Sequence, residues 1–475
     1  MIFSSTLLMS CGDQLADLNN DPNVSTSAGD GTEVFVAATG FYGGALEAYF
    51  NENDALFAQY HAGGVGVSLV QFERYFFQPG SFNTEWTLCY MQALTDFKYV
   101  IESENQARSA AADVMSVMIF QSLVDHFGDV PYTEALQGLD GNLSPAYSDD
   151  AEIYADLVVR LNQDIATLES TVDEMGAEDL IYGGDISKWI KFANSLKLRI
   201  LMRQSIVNPS GVSAEVIATV NDGRFINSLD DIARIPFSGG ATNNWNPEYA
   251  RRESGVGQFY CLSQTFLDQL TVLNDPRLDI MYDFPVNSPG THNGMLQGNA
   301  NDVVAASADD FSYPSAFSYG ESTDVVLMSP WEVMFLRAEA DMRFNTADDE
   351  VTMFNNAVQS HFDYVGAGDA SSYLTNSANY SASASTQAKT RLIAIQKWIS
   401  LSGYQEAEGW IETRRFDSPG NKLFTDGIFR RPTRSVFGEG QFPTTYLYPQ
   451  TELSFNTNNV PPRADAVSDK VFWDN

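Results

Sequence analysis

From Glu33 onward, apolar side chains recur every three or four positions, the spacing that gathers them on one face of a helix. Phe35, Thr39, Tyr42 and Leu46 mark such a face in a first helix, and Trp86, Tyr90, Leu94, Phe97 and Ile101 in a second. Ala107 to Phe127 predicts a third, with Val114, Met118, Gln121 and Asp125 as one strip and Val117, Phe120 and Val124 beside it. It ends at Gly128, and Pro131 bars a restart nearby. Ala151 to Leu168 follows, opened by Ser148-Asp149-Asp150, whose side chains can cap free amides. In Ile186 to Gln204 the buried stripe is Ile186, Trp189, Ile190, Ala193, Leu196 and Ile200. Trp331 to Phe344 and Asp349 to Val365, joined by Asn345-Thr346-Ala347, predict a helical hairpin; Gln387 to Ser400 and Glu406 to Arg414 are the last helices.

In that hairpin, Ala338 and Ala340 allow close helix approach, and Ala340 followed by Phe344 and a second amphipathic helix resembles a tetratricopeptide unit. No clean repeat of about 34 residues accompanies it, so the expectation rests on helix pairing and not on self-similarity. Between about Asn221 and Thr323 the helical period gives way to Gly, Pro, Asn, Ser and aromatics, apart from a short helix near Phe259 to Leu270. Gly63-Gly64-Val65-Gly66 reads as a flexible turn, and the tail from Pro419 is again loop-rich.

Composition changes this picture in two ways. The 62 acidic and 27 basic residues give a net charge of −35, a field that repels nucleic-acid phosphates and anionic lipid. Nucleic-acid binding is therefore excluded, and the charge is read as a solvated acidic surface. Lys188, Lys191, Lys197, Arg199 and Arg203 make one helix the basic exception; pairing with acidic neighbours is preferred there over a phosphate or acidic-ligand site. Three cysteines, Cys11, Cys89 and Cys261, are too few for a disulfide framework, and Cys89 reads as a small buried residue. No run of about 18 apolar residues predicts a membrane-spanning helix.

Catalytic patterns are lacking. His61, His126, His292 and His361 are scattered without metal-ligand spacing, and neither a nucleophile elbow nor a phosphate-cradling loop occurs. With 62 acidic residues, the paired carboxylates of a glycosidase arise by chance and decide nothing. No catalytic residue, metal site or cofactor is expected.

Sugar binding needs other parts: aromatic faces for the C–H side of the ring, and amides or carboxylates for its hydroxyls. Three stretches supply them. One is Gln71 to Gln78, with Tyr75 and Phe77; another is Asn243 to Tyr249, with Asn244, Trp245, Asn246 and Tyr249; the third is Phe311 to Tyr319, with Tyr313 and Tyr319. Trp245 leads, being flanked by amides and outside any helical stripe; the competing reading is a loop aromatic that plugs the core edge.

At the amino terminus, Leu8-Met9-Ser10-Cys11 resembles a bacterial lipobox, which makes Cys11 the expected lipidation site. No Lys or Arg precedes it and the segment is shorter than a signal peptide, so either the natural start lies upstream or the sequence is clipped. Residues 1–30 are expected to be signal remnant and tether, and 31–475 one domain with a loop-rich insertion at about 221–325.

Asp125 to Leu136 resembles a signature stretch of the SusD/RagB family. In the same order as in that family follow Ile153 to Leu157, Trp189 to Arg199, Glu332 to Ala340, Gly409 to Arg415, Tyr448 to Glu452 with Asn456 and Asn459, and Val471 to Trp473. Thr413 departs from the pattern, since relatives often carry an aromatic before the two arginines. The resemblance implies a mainly α fold of tetratricopeptide-like hairpins with a loop-rich ligand-binding face. It implies a lipid-anchored, cell-surface protein of the outer membrane that is not an enzyme. Its partners would be a SusC-like TonB-dependent transporter and an oligosaccharide or polysaccharide ligand; the alternative is a capture subunit for peptides or another nutrient. The motifs themselves are expected to scaffold the site without forming it.

Overall fold

The computed structural model of the chain describes residues 31–65, 70–254, 260–300, 302, 307–418, 421–463 and 465–474. Cys11 and the expected tether lie outside the described residues, as do parts of the Gly64–Gly66 turn.

The helical periods become a series of paired antiparallel-type rods. α1 (Thr32–Ala45) runs through a π-helical stretch, Leu46–Asn51, into Glu52–Phe57, and packs on the rod formed by Asn83–Thr87, Leu88–Leu94 and Thr95–Ile101. α2 (Gln106–Phe127) pairs with α3 (Asp150–Ser170), α3 with α4 (Ile186–Arg203), and α4 with α5 (Pro209–Asp222). α6 (Pro330–Phe344) pairs with α7 (Glu350–Val365), and α8 (Thr386–Leu401) with α9 (Glu406–Phe416). The fold is mainly α and its hairpins are tetratricopeptide-like, as expected.

Local chemistry fixes the ends. Asn105 accepts from the Arg108 amide at 2.9 Å, and Asp149 and Asp185 cap α3 and α4. Gly128 closes α2 with φ 72°, a region an L side chain resists. Asn345 turns the α6–α7 hairpin in the left-handed conformation, φ 52° and ψ 62°. α5 was not expected from the sequence, although Asn208-Pro209 caps it and Val212, Val216 and Val220 form its buried stripe. The segment expected as a helix near Phe259 starts instead as a strand, Tyr260–Leu262, paired antiparallel with His61–Gly63; Ser263 then caps a helix over Gln264–Val272. Gly63 is thus a strand residue and not part of a turn.

The family-like motifs meet in the core. Arg199 of α4 bonds Glu332 of α6 at 2.7 Å, and Arg203 grips Glu408 (2.7 Å) and Glu412 of α9. Arg415 of α9 bonds Glu339 of α6 at 2.6 Å and Glu412 at 2.6 Å, while Lys397 of α8 lies 3.1 Å from Glu412. Four of the five basic residues of α4 are therefore paired with carboxylates, including Lys191 with Asp231 and Lys197 with Glu215, while Lys188 donates to the Asp230 carbonyl. The carboxyl-terminal segment folds back onto the first third of the chain: Trp473 donates to Asp125 at 2.8 Å, the Phe472 amide to Asp150, and the Tyr446 amide to the His126 carbonyl. Cys89 and Cys261 are free, buried thiols.

Candidate functional site

The second aromatic stretch is held on the helical body by one residue. Asn246 accepts from the Glu248 and Tyr249 amides at 2.9 and 3.2 Å, capping the short helix Pro247–Glu253. Its side-chain amide donates to Glu47 and to the Thr323 carbonyl, both at 3.0 Å, and its backbone amide to the Glu321 carbonyl at 2.9 Å. The second and third aromatic stretches are thereby drawn together over the π-helical turn of the first rod.

Asn246 itself is buried and fully engaged, so it positions the loop and does not face a ligand. Trp245, half-buried, meets Tyr249 edge to face at 5.2 Å and 88°. The Trp245 indole N–H is enclosed and has no hydrogen-bond acceptor among the described residues. Asn244 is exposed beside it.

Sequence reasoning missed what surrounds this pair. Arg251 lies over the Tyr49 ring at 4.4 Å and bonds the Ala48 carbonyl at 2.6 Å and Glu52 at 3.2 Å. Arg252 lies over the Tyr319 ring at 5.5 Å. The adjacent Arg251-Arg252 pair, placed in a strongly acidic chain just after an Asn-Pro cap, was the available signal. Beneath lie four buried carboxyls: Glu47, Glu52, Glu248 and Glu406. Burial pushes Glu47 up to about 7 and Glu406 up to about 8; burial and then the Glu47 charge raise Glu248 well above its ordinary value. Burial also drives His61 down to about 3, so it is neutral.

The other aromatics lie deeper. Tyr319 is buried and donates to Glu406 at 2.8 Å, forming part of the floor. Tyr313 is half-buried against the small cluster of Ala62, Cys261, Met295 and Phe311. Tyr75 is 1% exposed, which takes it out of ligand reach, and Phe77 packs on Phe57 and Phe82 at 5.5 and 5.4 Å. Phe76, between them, is the one that faces outward. Tyr75 and Phe77 thus belong to a separate aromatic cluster with Phe437 and Phe442.

Among the described residues, Asp129, Asp149 and Asp150 bring carboxylate oxygens within 4.8 Å of one another. Those oxygens accept from the amides of Asp150, Ala151, Glu152 and Phe472, so helix capping and tail anchoring account for the group. No described helix is long and apolar enough to cross a membrane.

Comparison with known proteins adds an independent finding. A family model described as SusD-like, starch-binding and associating with the outer membrane, matches residues 35–449. A comparison with curated proteins gives no match. Among solved structures, the chain is similar to a chitin-binding SusD homolog from Flavobacterium johnsoniae: 20% identity, TM-score 0.78, covering 94% of this chain and 97% of that one. A SusD homolog from Bacteroides uniformis is 23% identical with a TM-score of 0.75, covering 93% and 99%. A third structure, a chitin-binding protein, is 23% identical with a TM-score of 0.76, covering 94% and 98%. At these identities the structures speak to the shared fold.

Proposed function

Because the chain belongs to the SusD-like family, described as starch-binding and associating with the outer membrane, we propose that it captures oligosaccharides at the cell surface and hands them to a SusC-like TonB-dependent transporter. It works by binding and performs no chemistry on the glycan. The observation that carries this reading is the Trp245–Tyr249 pair: two aromatic rings presented by a capped, stapled loop, with an exposed amide at Asn244. Stacking against a ring's C–H face needs a rigid aromatic platform, and the Asn246 staple supplies that rigidity without touching the sugar. Chitin binding by two proteins of the same fold supports a glycan as ligand.

The test is calorimetry with the best glycan from an array. Trp245→Ala is expected to weaken binding by roughly 2 kcal/mol, about thirtyfold, at low and high salt alike, since an apolar stacking surface is not screened. Full affinity in a folded Trp245→Ala protein would sink the assignment.

Lipidation at Cys11 would hold the protein on the membrane. Cys11→Ala, expressed without a transporter, should move from the membrane to the soluble fraction; retention in the membrane counts against it.

A further inference from the structure

A second cleft lies between α9 and the carboxyl-terminal segment, lined by none of the residues of the Trp245 loop. Its volume is about 220 Å³, smaller than a drug-sized site and suited to a single small ring. Its aromatic lining is the half-buried Phe429 and the edge of Phe442, with Phe57 and Trp410 buried behind them. Its charged lining is unusual for a chain of net charge −35. Three cations, Arg414, Lys422 and Lys470, face two carboxylates, Asp417 and Asp474.

Both carboxylates are already engaged. Asp417 accepts the Phe424 and Thr425 amides at 2.6 and 2.8 Å. Asp474 takes Arg414 Nε at 3.1 Å and lies 3.6 Å from Lys470. The cations are less fully met. Arg414 is held between the indoles of Trp410 and Trp473, 4.5 and 4.6 Å from their centres. Its Nη1 donates to the Asp125 carbonyl at 2.8 Å. Its Nη2 is buried and has no acceptor among the described residues. A buried guanidinium with an unused donor carries a desolvation penalty that a bound anion would remove. Consistent with this, burial holds Arg414 below its ordinary value despite the Asp474 charge. Lys422 stands exposed on the rim and makes no ion pair among the described residues.

We infer that this cleft binds a carboxylate carried on a saturated ring, as in one uronic acid residue, with the carboxylate drawn to Arg414 and Lys422 and the ring laid on the aromatic wall. An anion alone would not need that wall, and a neutral sugar would leave the cations unmet. That the ring is a sugar rests on the glycan reading; the anion site does not.

The experiment is calorimetry on the full chain with glucuronate, glucose, acetate and inorganic phosphate. Glucuronate should bind saturably, with the other three at least about tenfold weaker, because a hydrogen bond to a charged group separates it from glucose and ring contact separates it from the simple anions. Its affinity should fall as salt rises. Lys422→Glu, an exposed change that leaves the fold intact, should weaken glucuronate roughly fivefold at low salt. It should leave binding of a neutral glycan by the same protein unchanged. Arg414→Lys keeps the charge but loses the fork, and should abolish glucuronate binding in protein shown by circular dichroism to be folded. The inference is overturned if glucuronate does not bind, if acetate or phosphate binds as tightly, or if Lys422→Glu has no effect. Loss of neutral-glycan binding at Trp245 would leave this result unaffected, so the two readings fail separately.

Discussion

At the scale of single residues, burial decides what a charge is worth. Glu339 is wholly buried and bonds Arg415 and Arg343; removing it takes one of two carboxylate partners from the fully buried Arg415, leaving Glu412. Glu339→Ala should therefore cost roughly 3–5 kcal/mol, read as a lowered urea midpoint with an unchanged slope. The pair between Arg224 and Glu169 is 38% and 45% exposed, and Glu169→Ala should cost less than about 1 kcal/mol by the same measurement. Burial also explains how much of the site could be read in advance. That Asn244 and Trp245 stand outside the long helices was legible, because loop position and amide flanks are local properties. Asn246 looked like a ligand-facing amide, yet its bonds to Glu47 and Thr323 span 199 and 77 positions, which no local pattern carries. In the run Tyr75-Phe76-Phe77, composition could not say which ring faces out. The backbone chose Phe76 by placing Tyr75 at φ 61°.

At the scale of elements, close helix approach sets the tolerances. A Cβ on Gly409 of α9 would come within 2.2 Å of the Tyr60 hydroxyl, which donates to the Trp398 carbonyl of α8 at 2.7 Å. In an unhindered helix, Gly→Ala stabilises by roughly 1 kcal/mol. Here Gly409→Ala should instead lower stability by roughly 1–3 kcal/mol, because α9 or Tyr60 must move; thermal unfolding compared with the parent reads the sign. The long helices were legible from their period, which survives any tertiary arrangement. α5 escaped because its buried stripe is short, with Val212, Val216 and Val220 set among small and polar residues. The strand Tyr260–Leu262 escaped because three residues are too short for an alternation, and its partner lies about two hundred positions away.

At the scale of the molecule, two populations of buried carboxyls oppose each other. Glu332, Glu339 and Glu412 are held below their ordinary value by arginine partners, which outweigh their burial. They contribute stability above pH 4.5 that is lost as the pH falls through their lowered folded values. Glu47, Glu73, Glu85 and Glu406 are raised by burial to about 7 or 8 from 4.5. Such groups stay protonated in the fold while the unfolded chain releases its protons, so they erode stability as pH rises from about 4.5 to about 8. Chemical denaturation across pH should give a maximum on the acidic side of neutrality, with decline on both flanks. A plateau through pH 8 would contradict these burial-driven shifts.

The return of the carboxyl-terminal segment to α2 bears on the order in which the fold is completed. Trp473 and Asp125 stand 348 positions apart, and Asp125 also takes the hydroxyl of Tyr154. The contact that seals the first third of the core is therefore supplied by a segment made long after the helix it closes. Contacts of such separation form late and slowly. Until that segment docks, the Asp125 carboxylate, buried in the finished fold, lacks its indole donor, so the helical pairs on either side of α2 can be formed before the seam between them is closed.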